Sequence, residues 1–552
     1  MPKLRIDNRE VEVAAGTTLL AAAAKLGIRI PALCHLEGCD AQTSCLVCLV
    51  KVNGGSRLVP SCATVAVEGM VVESETAEVR SFRKAAIELL LAEHAGDCYA
   101  PCENVCPAHM DIPTMMRNIE AGDLRAAVAT VKKAIPLPAT LGRICPELCE
   151  KGCRRASRDD SVSICSLKRY VGDKDLAKGG GNSPYLPECK PASGKSVAIV
   201  GSGPAGLTAA WFLRQNGHAV TLFDDHPLPG GALRYAIAEE LLPRATLNAE
   251  IDLIRALGSG EGVTFVMNTR VDAGKMAELK RDFDAILLAA GPVDQEKAAA
   301  LGADYVGKGI KVDRKTLQTQ EPKVFAAGSA LIPLQHAIRA VADGKNAAKH
   351  MHAFLIAEAR EQGGGGEFAS RMGRLTDAEM DRFFAETPTF PREIPHRGGG
   401  GGTKDGLSDS QAVREASRCA HCDCSKLDSC RLHDVAMSYQ ANPARYRGTR
   451  REFQRQSVHP LIVYESGKCI LCGLCVAIAS RAAEPLGLTF IGRGFNVKVG
   501  VPLNAEFSKA LERVARECVA ACPSGALDLR YDAPAERDAN PPIRLSLPQL
   551  RT

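Results

Sequence analysis

The stretch "KSVAIVGSGPAGLTAAWFLRQNGHAVTLFDD", Lys195–Asp225, decides the fold of the middle of the chain. It reads as a strand, a glycine turn, a helix and a second strand that ends at Asp224. Gly201, Gly203 and Gly206 form the pattern G-x-G-x-x-G. The first two glycines permit a tight turn and a close approach to a pyrophosphate at the helix N-terminus, and the third lets the helix pack on the strand. Because the whole strand–turn–helix–strand context is present, we predict a dinucleotide site, with Asp224 at the adenosine ribose hydroxyls.

Three later segments resemble the flavin loops of the small subunit of glutamate synthase. They read "PLPGGALRYAIAEELLPRATLNAEIDLI", "FDAILLAAG" and "VFAAGSALIPLQHAIRAVADGKNAA". That family usually has Asp where this chain has Ser329. The resemblance implies that the dinucleotide is FAD, and it implies these contact residues: Gly201, Gly203, Pro204, Ala205, Gly206, Asp224, Gly230, Gly231, Arg234, Gly291, Gly328, Ser329 and His336.

The same family inserts a second nucleotide domain, for NADPH, between the last two of these motifs. Here only 32 residues separate Gly291 from Val324, and they contain no second G-x-G-x-x-G. A βαβ unit alone takes about 30 residues or more, and a whole NADPH domain takes far more. We therefore predict that the chain keeps the flavin site and lacks a pyridine-nucleotide site.

Length and composition limit what the rest of the chain can be. A chain of 552 residues is too long for one core, so about three to five domains are expected. A formal net charge of +5 is close to balanced and does not favour nucleic acid or an anionic membrane as a partner. No run of about 18 uncharged apolar residues suggests a membrane span, and the charged start does not read as a signal peptide. A cytoplasmic location is the resulting expectation.

The chain has 22 cysteines, and nearly all of them fall in closely spaced groups. Cytoplasmic thiols stay reduced, so we favour metal ligation over disulfides. The spacing C-x10-C-x2-C-x13-C suits a [2Fe–2S] centre, with a zinc knuckle as the alternative. The segment resembles the N-terminal ferredoxin domain of the large iron–sulfur subunit of respiratory complex I and of related hydrogenases and formate dehydrogenases. Its four predicted ligands are Cys34, Cys45, Cys48 and Cys62.

The segments "EHAGDCYAPCENVCPAHMDIP", "GRICPELCEKGCRR" and "VSICSLKRYVGD" supply seven thiolates and one imidazole, enough for two [4Fe–4S] clusters. They resemble the helical domain of the glutamate synthase small subunit and of dihydropyrimidine dehydrogenase, in which ligands interleave. The resemblance implies one set of His94, Cys98, Cys102 and Cys153. It implies a second set of Cys106, Cys145, Cys149 and a residue near Cys165. A purely local division, 94/98/102/106 and 145/149/153/165, stays open.

Two further groups follow. The segment "SRCAHCDCSKLDSCRL" predicts one metal centre, a cubane or a zinc site, from Cys419, Cys422, Cys424 and Cys430. The segment "KCILCGLCVAIAS" has ferredoxin spacing, and the distant Cys-Pro pair of a bacterial ferredoxin half completes it, which predicts a set of Cys469, Cys472, Cys475 and Cys522. The second ferredoxin cube would need cysteines where the chain has Ala479, Glu512, Ala515 and Cys518, so it is predicted to be lost. The unassigned cysteines are Cys39, Cys189 and Cys518.

The predicted fold class is multidomain α/β and α+β: a β-grasp ferredoxin, a helical double-cluster domain, a Rossmann-like FAD domain and a C-terminal ferredoxin-like domain. The predicted boundaries are 1–77 for the [2Fe–2S] domain, 78–190 for the helical domain, 195–355 for the FAD domain, 356–405 for a flexible glycine-rich linker, 406–450 for a cysteine-rich [4Fe–4S] segment, 455–535 for the ferredoxin-like domain and 536–552 for a tail.

The predicted chemistry is electron transfer carried by FAD, one [2Fe–2S] and about four [4Fe–4S] clusters. We predict an electron-transfer subunit of a multisubunit oxidoreductase complex, relaying electrons between a catalytic subunit, or ferredoxin, and an NAD(P)-linked flavoprotein. The catalytic chain would be of the hydrogenase, formate dehydrogenase or 2-oxoacid- or aromatic-reducing type. The N-terminal domain would meet an NADH-oxidising flavoprotein, as its relative does in complex I.

Two alternatives stay open. One is a self-contained NAD(P)H-dependent FAD/iron–sulfur reductase, with electron bifurcation included. The other is a scaffold whose metals only stabilise its domains. No Ser/His/Asp or Cys/His nucleophile pattern is recognised in the sequence, so no catalytic residue is predicted.

Overall fold

The chain divides into two compact units, neither of which is continuous in sequence. The computed structural model describes residues 1–177, 183–258, 262–357, 368–394 and 406–530. The first unit contains 1–98, 365–383 and 424–552, and the second contains 99–364 and 384–423. The divisions at 98/99 and 423/424 fall inside the predicted helical domain and the predicted cysteine-rich segment, so both differ from the predicted boundaries.

The N-terminal lobe of the first unit is a five-stranded sheet beside one short helix. Its strands are ordered Arg9–Glu12, Lys3–Ile6, Val71–Glu73, Leu49–Val52 and Leu58–Pro60. Leu4 and Ile6 alternate with exposed neighbours and face the core. The helix Leu19–Lys25 is capped by Thr18, whose side chain accepts a hydrogen bond from the amide of Ala21. This arrangement follows the period-two pattern of the first strand and the alanine-rich helix after it.

The rest of the first unit is built from short elements. The described helices are Ala77–Ala92, Asp377–Phe383, Arg431–Ser438, Leu474–Arg481 and Ala515–Ala521. The strands Arg455–Gln456, Ile462–Glu465 and Leu527–Leu529 form an antiparallel sheet, and Thr489–Ile491 pairs with Lys498–Gly500. Buried Arg83 ties the first of these helices to the N-terminal sheet, because its guanidinium donates to the carbonyl of Leu49 at 2.7 Å.

The second unit begins with a helical part. Its described helices are Pro101–Val105, Ile112–Glu120, Leu124–Lys132, Pro138–Ile144, Leu148–Lys151, Ile164–Leu176 and Asp409–Ala416. Two of them cross at glycines: a Cβ at Gly142 would lie 2.5 Å from the Cα of Arg169, and a Cβ at Gly172 would overlap the amide of Ala139. Only glycine permits this backbone approach, which brings the two cysteine-bearing helix ends of this part together.

The nucleotide-type part of the second unit is a parallel sheet with helices around it. The strand order is Val324–Ala326, Ala285–Leu288, Ser196–Val200, Ala219–Phe223 and Val263–Val266. The described helices are Pro204–Gln215, Ala232–Tyr235, Arg244–Arg255, Ala273–Asp282, Gln295–Ala300 and Ala337–Leu355. The predicted strand, turn, helix and second strand are therefore confirmed. Between Gly291 and Val324, all of which is described, the chain forms one short helix and the hairpin 305–310, and no second nucleotide sheet.

Residues 368–394 are packed, although they lie in the predicted flexible linker. In the first unit Glu379 forms an ion pair with Arg450 at 2.6 Å. In the second unit Arg392 forms a buried ion pair with Glu150 at 2.6 Å. The glycine composition that led to the linker prediction lies in the runs 363–366 and 398–402, which fall outside the described residues, as does the tail 536–552. Among the described helices, none is long and apolar enough to cross a membrane.

The two parts of the second unit are joined by the carboxylate of Glu250. It is buried on the helix 244–255 and accepts hydrogen bonds from the first-turn amides of Ala139 and Thr140, at 2.7 and 2.8 Å. Burial raises the pKa of Glu250 to about 7, although the two amides oppose that shift. The side chain therefore caps the helix that leads into Cys145.

We expect Glu250→Ala to destabilise the second unit by about 1–3 kcal/mol, because two buried amides lose their acceptor. Glu250→Gln keeps one acceptor oxygen and should cost less. The chain has one tryptophan, Trp211, and it is buried in this unit, so its fluorescence during urea unfolding measures the effect. Glu278→Ala, at an exposed helix position, is the control. Equal midpoints for the Glu250 and Glu278 variants would contradict the capping role.

Candidate metal centres and nucleotide site

The four N-terminal cysteines converge in one buried place. The sulfurs of Cys34 and Cys45 lie 3.3 Å apart. The side chains of Cys48 and Cys62 form a hydrogen bond, and Cys34 is close enough to interact electrostatically with Cys48. Each of the four residues is at most 3 % exposed. The structure thus brings together the four residues that the spacing C-x10-C-x2-C-x13-C predicts.

A second set joins two distant segments of the first unit. The amide of Cys424 donates to the carbonyl of Cys98 at 3.2 Å, and Cys430 is within electrostatic reach of both cysteines. His94 and Cys424 lie beside the same side chain: a Cβ at Gly96 would lie 3.1 Å from the Nε2 of His94 and 2.9 Å from the Cγ of Lys468, and a Cβ at Gly525 would lie 3.6 Å from the Cδ of Lys468 and would overlap the sulfur of Cys424. The Nδ1 atom of His94 is buried without a hydrogen-bond partner. Burial, and then the charge of Lys468, lowers the pKa of His94 to about 4, which keeps the imidazole neutral and able to bind a metal.

A third set lies in the helical part of the second unit. One small cavity is lined by the sulfur-bearing residues Cys102, Cys153, Cys419 and Cys422. Burial, and then the other three sulfurs, raises the pKa of Cys102. The structure therefore divides the predicted local centre 419/422/424/430 between two units. It also separates His94 and Cys98 from Cys102 and Cys153, which the family resemblance had grouped.

The fourth set surrounds a buried lysine. Lys168 is 2 % exposed and within electrostatic reach of all four sulfurs of this set, and its Nζ lies 3.9 Å from the sulfur of Cys165. Burial opposes the charge of Lys168, but the neighbouring sulfurs raise its pKa. This set contains Cys106, Cys145, Cys149 and Cys165, the four residues of the second predicted group, with Cys165 itself in the uncertain position.

The fifth set is the C-terminal one. Cys469, Cys472, Cys475 and Cys522 line one cavity, beneath Tyr464. Where a second ferredoxin cube would lie, Ala479, Ala515 and Cys518 are buried in an apolar core. Cys518 is fully buried, and its thiol points to the carbonyl of Cys475 at 3.7 Å. The remnant of the lost site is therefore filled by protein.

At three of these ligand positions the sequence shows why a helix ends at the cysteine. Cys106, Cys145 and Cys522 each follow the last residue of a helix, and each has an extended backbone with ψ between 120° and 137°. Each is followed by proline. The proline ring disfavours the helical conformation of the residue before it, so the helix ends and the cysteine turns inward.

The donor chemistry of these sets fits iron–sulfur clusters. Burial raises the pKa of Cys98 and Cys469 to about 11 and of Cys430 and Cys472 to about 12, and neighbouring sulfurs add to each shift. Four crowded, buried sulfurs are unfavourable as thiolates unless a cation binds them, and thiolates are the ligands that iron–sulfur clusters use. Nineteen cysteines and His94 thus form five groups of four, and every group lies within a single unit.

The glycine turn forms a cradle at the start of the helix 204–215. Gly201 has φ +105°, and a Cβ there would overlap the carbonyl of Ala289. A Cβ at Gly206 would overlap the carbonyl of Gly201, and one at Gly231 would lie 2.7 Å from the Cα of Gly203. The helix begins at Pro204, and Gly203 before it provides no side-chain cap, so the amides of the first turn are available to a pyrophosphate. These residues fit a dinucleotide, and the helix starts with the predicted residues Pro204, Ala205 and Gly206.

The other predicted contact residues surround this cradle with different roles. The carboxylate of Asp224 accepts hydrogen bonds from the amide and hydroxyl of Ser202, at 2.7 and 2.6 Å, so it also fixes the turn. Arg234 is buried and donates to the carbonyl of Pro229, so it points into the protein. Ser329 accepts from the amide of Leu334 at 3.4 Å. Gly230, Gly291, Gly328 and His336 lie in the turns that precede or follow the helices and strands of this part.

Sequence reasoning gave no role to three residues of these sites, although it placed Lys168 one helical turn after Cys165. Lys168 and Lys468 are buried beside cysteine sets, although each stands close to a predicted ligand in the sequence. Asp343, on the helix 337–355, accepts a hydrogen bond from the amide of Gly328. A lysine three residues after a cysteine on one helix is the signal that could have indicated Lys168. No comparable signal marks Asp343.

Three family descriptions match the chain. Residues 2–77 match a 2Fe-2S iron–sulfur cluster binding domain. Residues 75–180 match dihydropyrimidine dehydrogenase domain II, 4Fe-4S cluster. Residues 199–249 match an NAD(P)-binding Rossmann-like domain. The predicted N-terminal [2Fe–2S] domain, helical [4Fe–4S] domain and Rossmann-like domain are therefore confirmed.

Several proteins are similar to part of the chain. The beta subunit of the NADP(+)-dependent formate dehydrogenase of Moorella thermoacetica is 38% identical over 224 residues, which is 37% of this chain and 31% of the relative. The beta subunit of the NADPH-Fe(3+) oxidoreductase of Geobacter sulfurreducens is 36% identical over 215 residues, 38% of this chain and 30% of the relative. The small chain of the NADPH glutamate synthase of Bacillus subtilis is 37% identical over 216 residues, 39% of this chain and 42% of the relative. The chain thus spans less than half the length of each.

The grouping of sulfurs can be tested by pairs of substitutions. Cys422→Ser and Cys102→Ser should remove the same spectroscopic centre, and Cys424→Ser and Cys98→Ser should remove a different one. Each loss should amount to about four iron atoms per chain, as expected for one cubane. Anaerobic iron analysis and EPR of the dithionite-reduced protein measure both. Cys518→Ser, at a buried cysteine outside the five sets, should keep all the iron. If Cys422→Ser and Cys424→Ser instead remove one common centre, the local grouping is correct.

The nucleotide cradle can be tested with Gly203→Ala. Gly203 has φ −75°, which alanine adopts without strain, and no atom other than the Cα of Gly231, at 4.0 Å, lies near an added Cβ. The fold should therefore persist, whereas a methyl group at the pyrophosphate position should lower the bound flavin at least about tenfold. Flavin absorbance after purification measures this loss, and an unchanged circular dichroism spectrum shows that the fold is intact. Full flavin content in this variant would place the pyrophosphate elsewhere.

Proposed function

We propose that the chain is an FAD- and iron–sulfur-containing electron-transfer subunit of a multisubunit oxidoreductase. The observation that carries the proposal is one nucleotide cradle in the same chain as five buried or half-buried four-ligand sets. The relatives named as beta subunits of a formate dehydrogenase and of an NADPH-Fe(3+) oxidoreductase support a role as one subunit of a larger enzyme. Five complete sets also argue against a scaffold that uses metal only for stability.

Bound flavin would exchange electrons in pairs, and bound clusters would carry them singly. The protein would hold one [2Fe–2S] centre at Cys34, Cys45, Cys48 and Cys62, and four cubanes at the remaining sets. Burial of most of these cysteines limits the access of water to the ligands. FAD is favoured over a nicotinamide because the segments that contain Gly230, Gly291 and Gly328 resemble flavin loops.

Within the first unit, the structure supports an order of centres that differs from the order in the sequence. The loop between Cys34 and Cys45 touches the loop between Cys472 and Cys475, since a Cβ at Gly473 would lie 2.9 Å from the side chain of Gln42. On the other side, the thiol of Cys430 faces the carbonyl of Pro523 at 3.7 Å, one residue after Cys522. We call Cys34, Cys45, Cys48 and Cys62 the N-terminal set, Cys469, Cys472, Cys475 and Cys522 the C-terminal set, and His94, Cys98, Cys424 and Cys430 the histidine set. The C-terminal set therefore lies between the N-terminal set and the histidine set.

Within the second unit, the two cysteine sets are adjacent because their ligands alternate along the chain. Cys102 and Cys106 lie one helical turn apart and belong to different sets, and so do Cys149 and Cys153. Next to Cys106, the side chain of Lys345 donates to the carbonyl of Ala108 at 3.4 Å. Lys345 lies on the helix 337–355 of the nucleotide part, so this contact connects the cysteine sets with the flavin-type fold.

The partners remain those that the sequence predicts. A hydrogenase, formate dehydrogenase or 2-oxoacid- or aromatic-reducing chain, or ferredoxin, would exchange electrons at one end, and an NADH-oxidising flavoprotein at the other. We place the chain in the cytoplasm.

The NADPH-linked names of several relatives favour one second candidate, a reductase that itself oxidises NAD(P)H. The 32 residues between Gly291 and Val324 leave no room for a separate nicotinamide domain.

An anaerobic reduction experiment distinguishes the two functions. The purified chain, with flavin and iron confirmed, is mixed with NADH or NADPH, and the flavin absorbance is followed. We expect the flavin to stay oxidised with either nucleotide and to bleach with dithionite, because the cradle binds one dinucleotide only. Rapid bleaching by either nucleotide would show that the chain is a reductase in its own right. Gly203→Ala provides the flavin-depleted control.

A further inference from the structure

Lys468 is a buried cation that the proposed function has not used. It is 5 % exposed and lies directly before Cys469 in the sequence. Its amino group forms an ion pair with Glu465. Charged side chains are rarely this buried, because removing an ammonium group from water is costly unless nearby negative charge offsets it. We therefore expect Lys468 to have a role inside the protein rather than in contact with water at its surface.

The side chain of Lys468 reaches away from its own cysteine set and towards the histidine set. A Cβ at Gly96 would lie 2.9 Å from its Cγ and 3.1 Å from the Nε2 of His94. A Cβ at Gly525 would lie 3.6 Å from its Cδ and would overlap the sulfur of Cys424. Two glycines thus make the channel through which the lysine stem passes. The main chain of Lys468 is fixed as well, because its carbonyl accepts from the hydroxyl of Ser524 at 2.9 Å.

The charge of Lys468 acts on the two sets unequally. It is among the main charges at His94, Cys98 and Cys424, where it outweighs that of Glu465 at His94 and at Cys424. At Cys469 and Cys472 the cations with a main effect are Arg451 and Arg431 instead. A neutral imidazole in place of one thiolate already makes a cluster less negative and easier to reduce. A buried cation on the same side adds to this effect, because charges interact strongly where water is excluded.

We propose that Lys468 tunes the reduction potential of a neighbouring centre. It raises the potential of the centre at His94, Cys98, Cys424 and Cys430. The reference for this change is the centre at Cys469, Cys472, Cys475 and Cys522. The proposal rests on the proposed function, since it assumes that both sets hold clusters. The charge of Lys468 would thereby favour movement of an electron from the C-terminal centre to the histidine centre.

The test is a potentiometric titration of the full-length protein, followed by EPR. Lys468→Met removes the charge and keeps the length of the stem. At the parental midpoint potential, we expect the ratio of reduced to oxidised histidine centre to fall at least tenfold, which equals about 59 mV for a one-electron centre. The signal of that centre is identified as the one that changes in His94→Cys. The centre at Cys469 should keep its midpoint.

Two further variants separate charge from structure. Glu465→Gln removes the counter-charge and should shift the histidine centre in the opposite direction, towards easier reduction. Lys168→Met makes the matched change beside the set of Cys106, Cys145, Cys149 and Cys165. It should leave the midpoint potential of the histidine centre unchanged. A lysine with only a structural role would not give opposite shifts for Lys468→Met and Glu465→Gln.

The outcomes are decisive in each case. Opposite shifts support the proposal, whereas no shift, or shifts of one sign, overturns it. If Lys468→Met loses iron, Glu465→Gln decides alone: a shift to easier reduction supports the proposal, and an unchanged midpoint overturns it. If His94→Cys and His94→Ala change neither the iron content nor any EPR signal, the histidine set holds no cluster. In that case the proposed function fails at this set, and the proposal for Lys468 fails with it.

Discussion

Buried sulfur atoms that face one another are the constraint on which both units depend. A thiolate loses its hydration when it is buried, and several thiolates around one point also repel each other. A bound iron–sulfur cluster removes both costs, and it fixes four ligands in space at once. Bound clusters would therefore hold together segments that lie far apart in the sequence, such as 98 and 424 or 153 and 419. The glycine crossings and the Glu250 cap bring the surrounding helices into the positions that this requires.

The division of the chain follows the same constraint. Each unit contains only complete sets: three in the first unit and two in the second. Two of the four passages of the chain between the units lie between Cys98 and Cys102 and between Cys422 and Cys424, so each of these two leaves a ligand of one set and soon reaches a ligand of another. The segment 368–394 contributes packing to both units rather than acting as a spacer. Sequence-distant pieces thereby become parts of the same compact unit.

In the nucleotide part, the sequence predicts the roles of the glycines better than it predicts the contacts of the polar side chains. Its glycines are required by close backbone approaches that a Cβ would block, at Gly201, Gly206 and Gly231. The approach at Gly206 is local, because it is to the carbonyl of Gly201, whereas Gly201 approaches Ala289 and Gly231 approaches Gly203, which lie farther away in the sequence. The side chains were less predictable: Asp224 fixes the turn through Ser202, and Arg234 points into the protein, because polar groups near a tight turn are also needed to satisfy buried amides and carbonyls.

The sequence by itself identified the candidate ligand cysteines, His94 and the glycines of the nucleotide turn. Short cysteine spacings, three Cys-Pro helix ends and one complete glycine motif all depend on the conformation of a few neighbouring residues, and such local effects can be read directly. It could not determine how the residues combine. A sulfur atom has no preference for a partner nearby in the sequence, so Cys419 and Cys422 join Cys102 and Cys153, while Cys424 and Cys430 join Cys98. Only the tertiary structure decided that grouping, and with it the buried positions of Lys168 and Lys468, because both depend on which distant segments pack together.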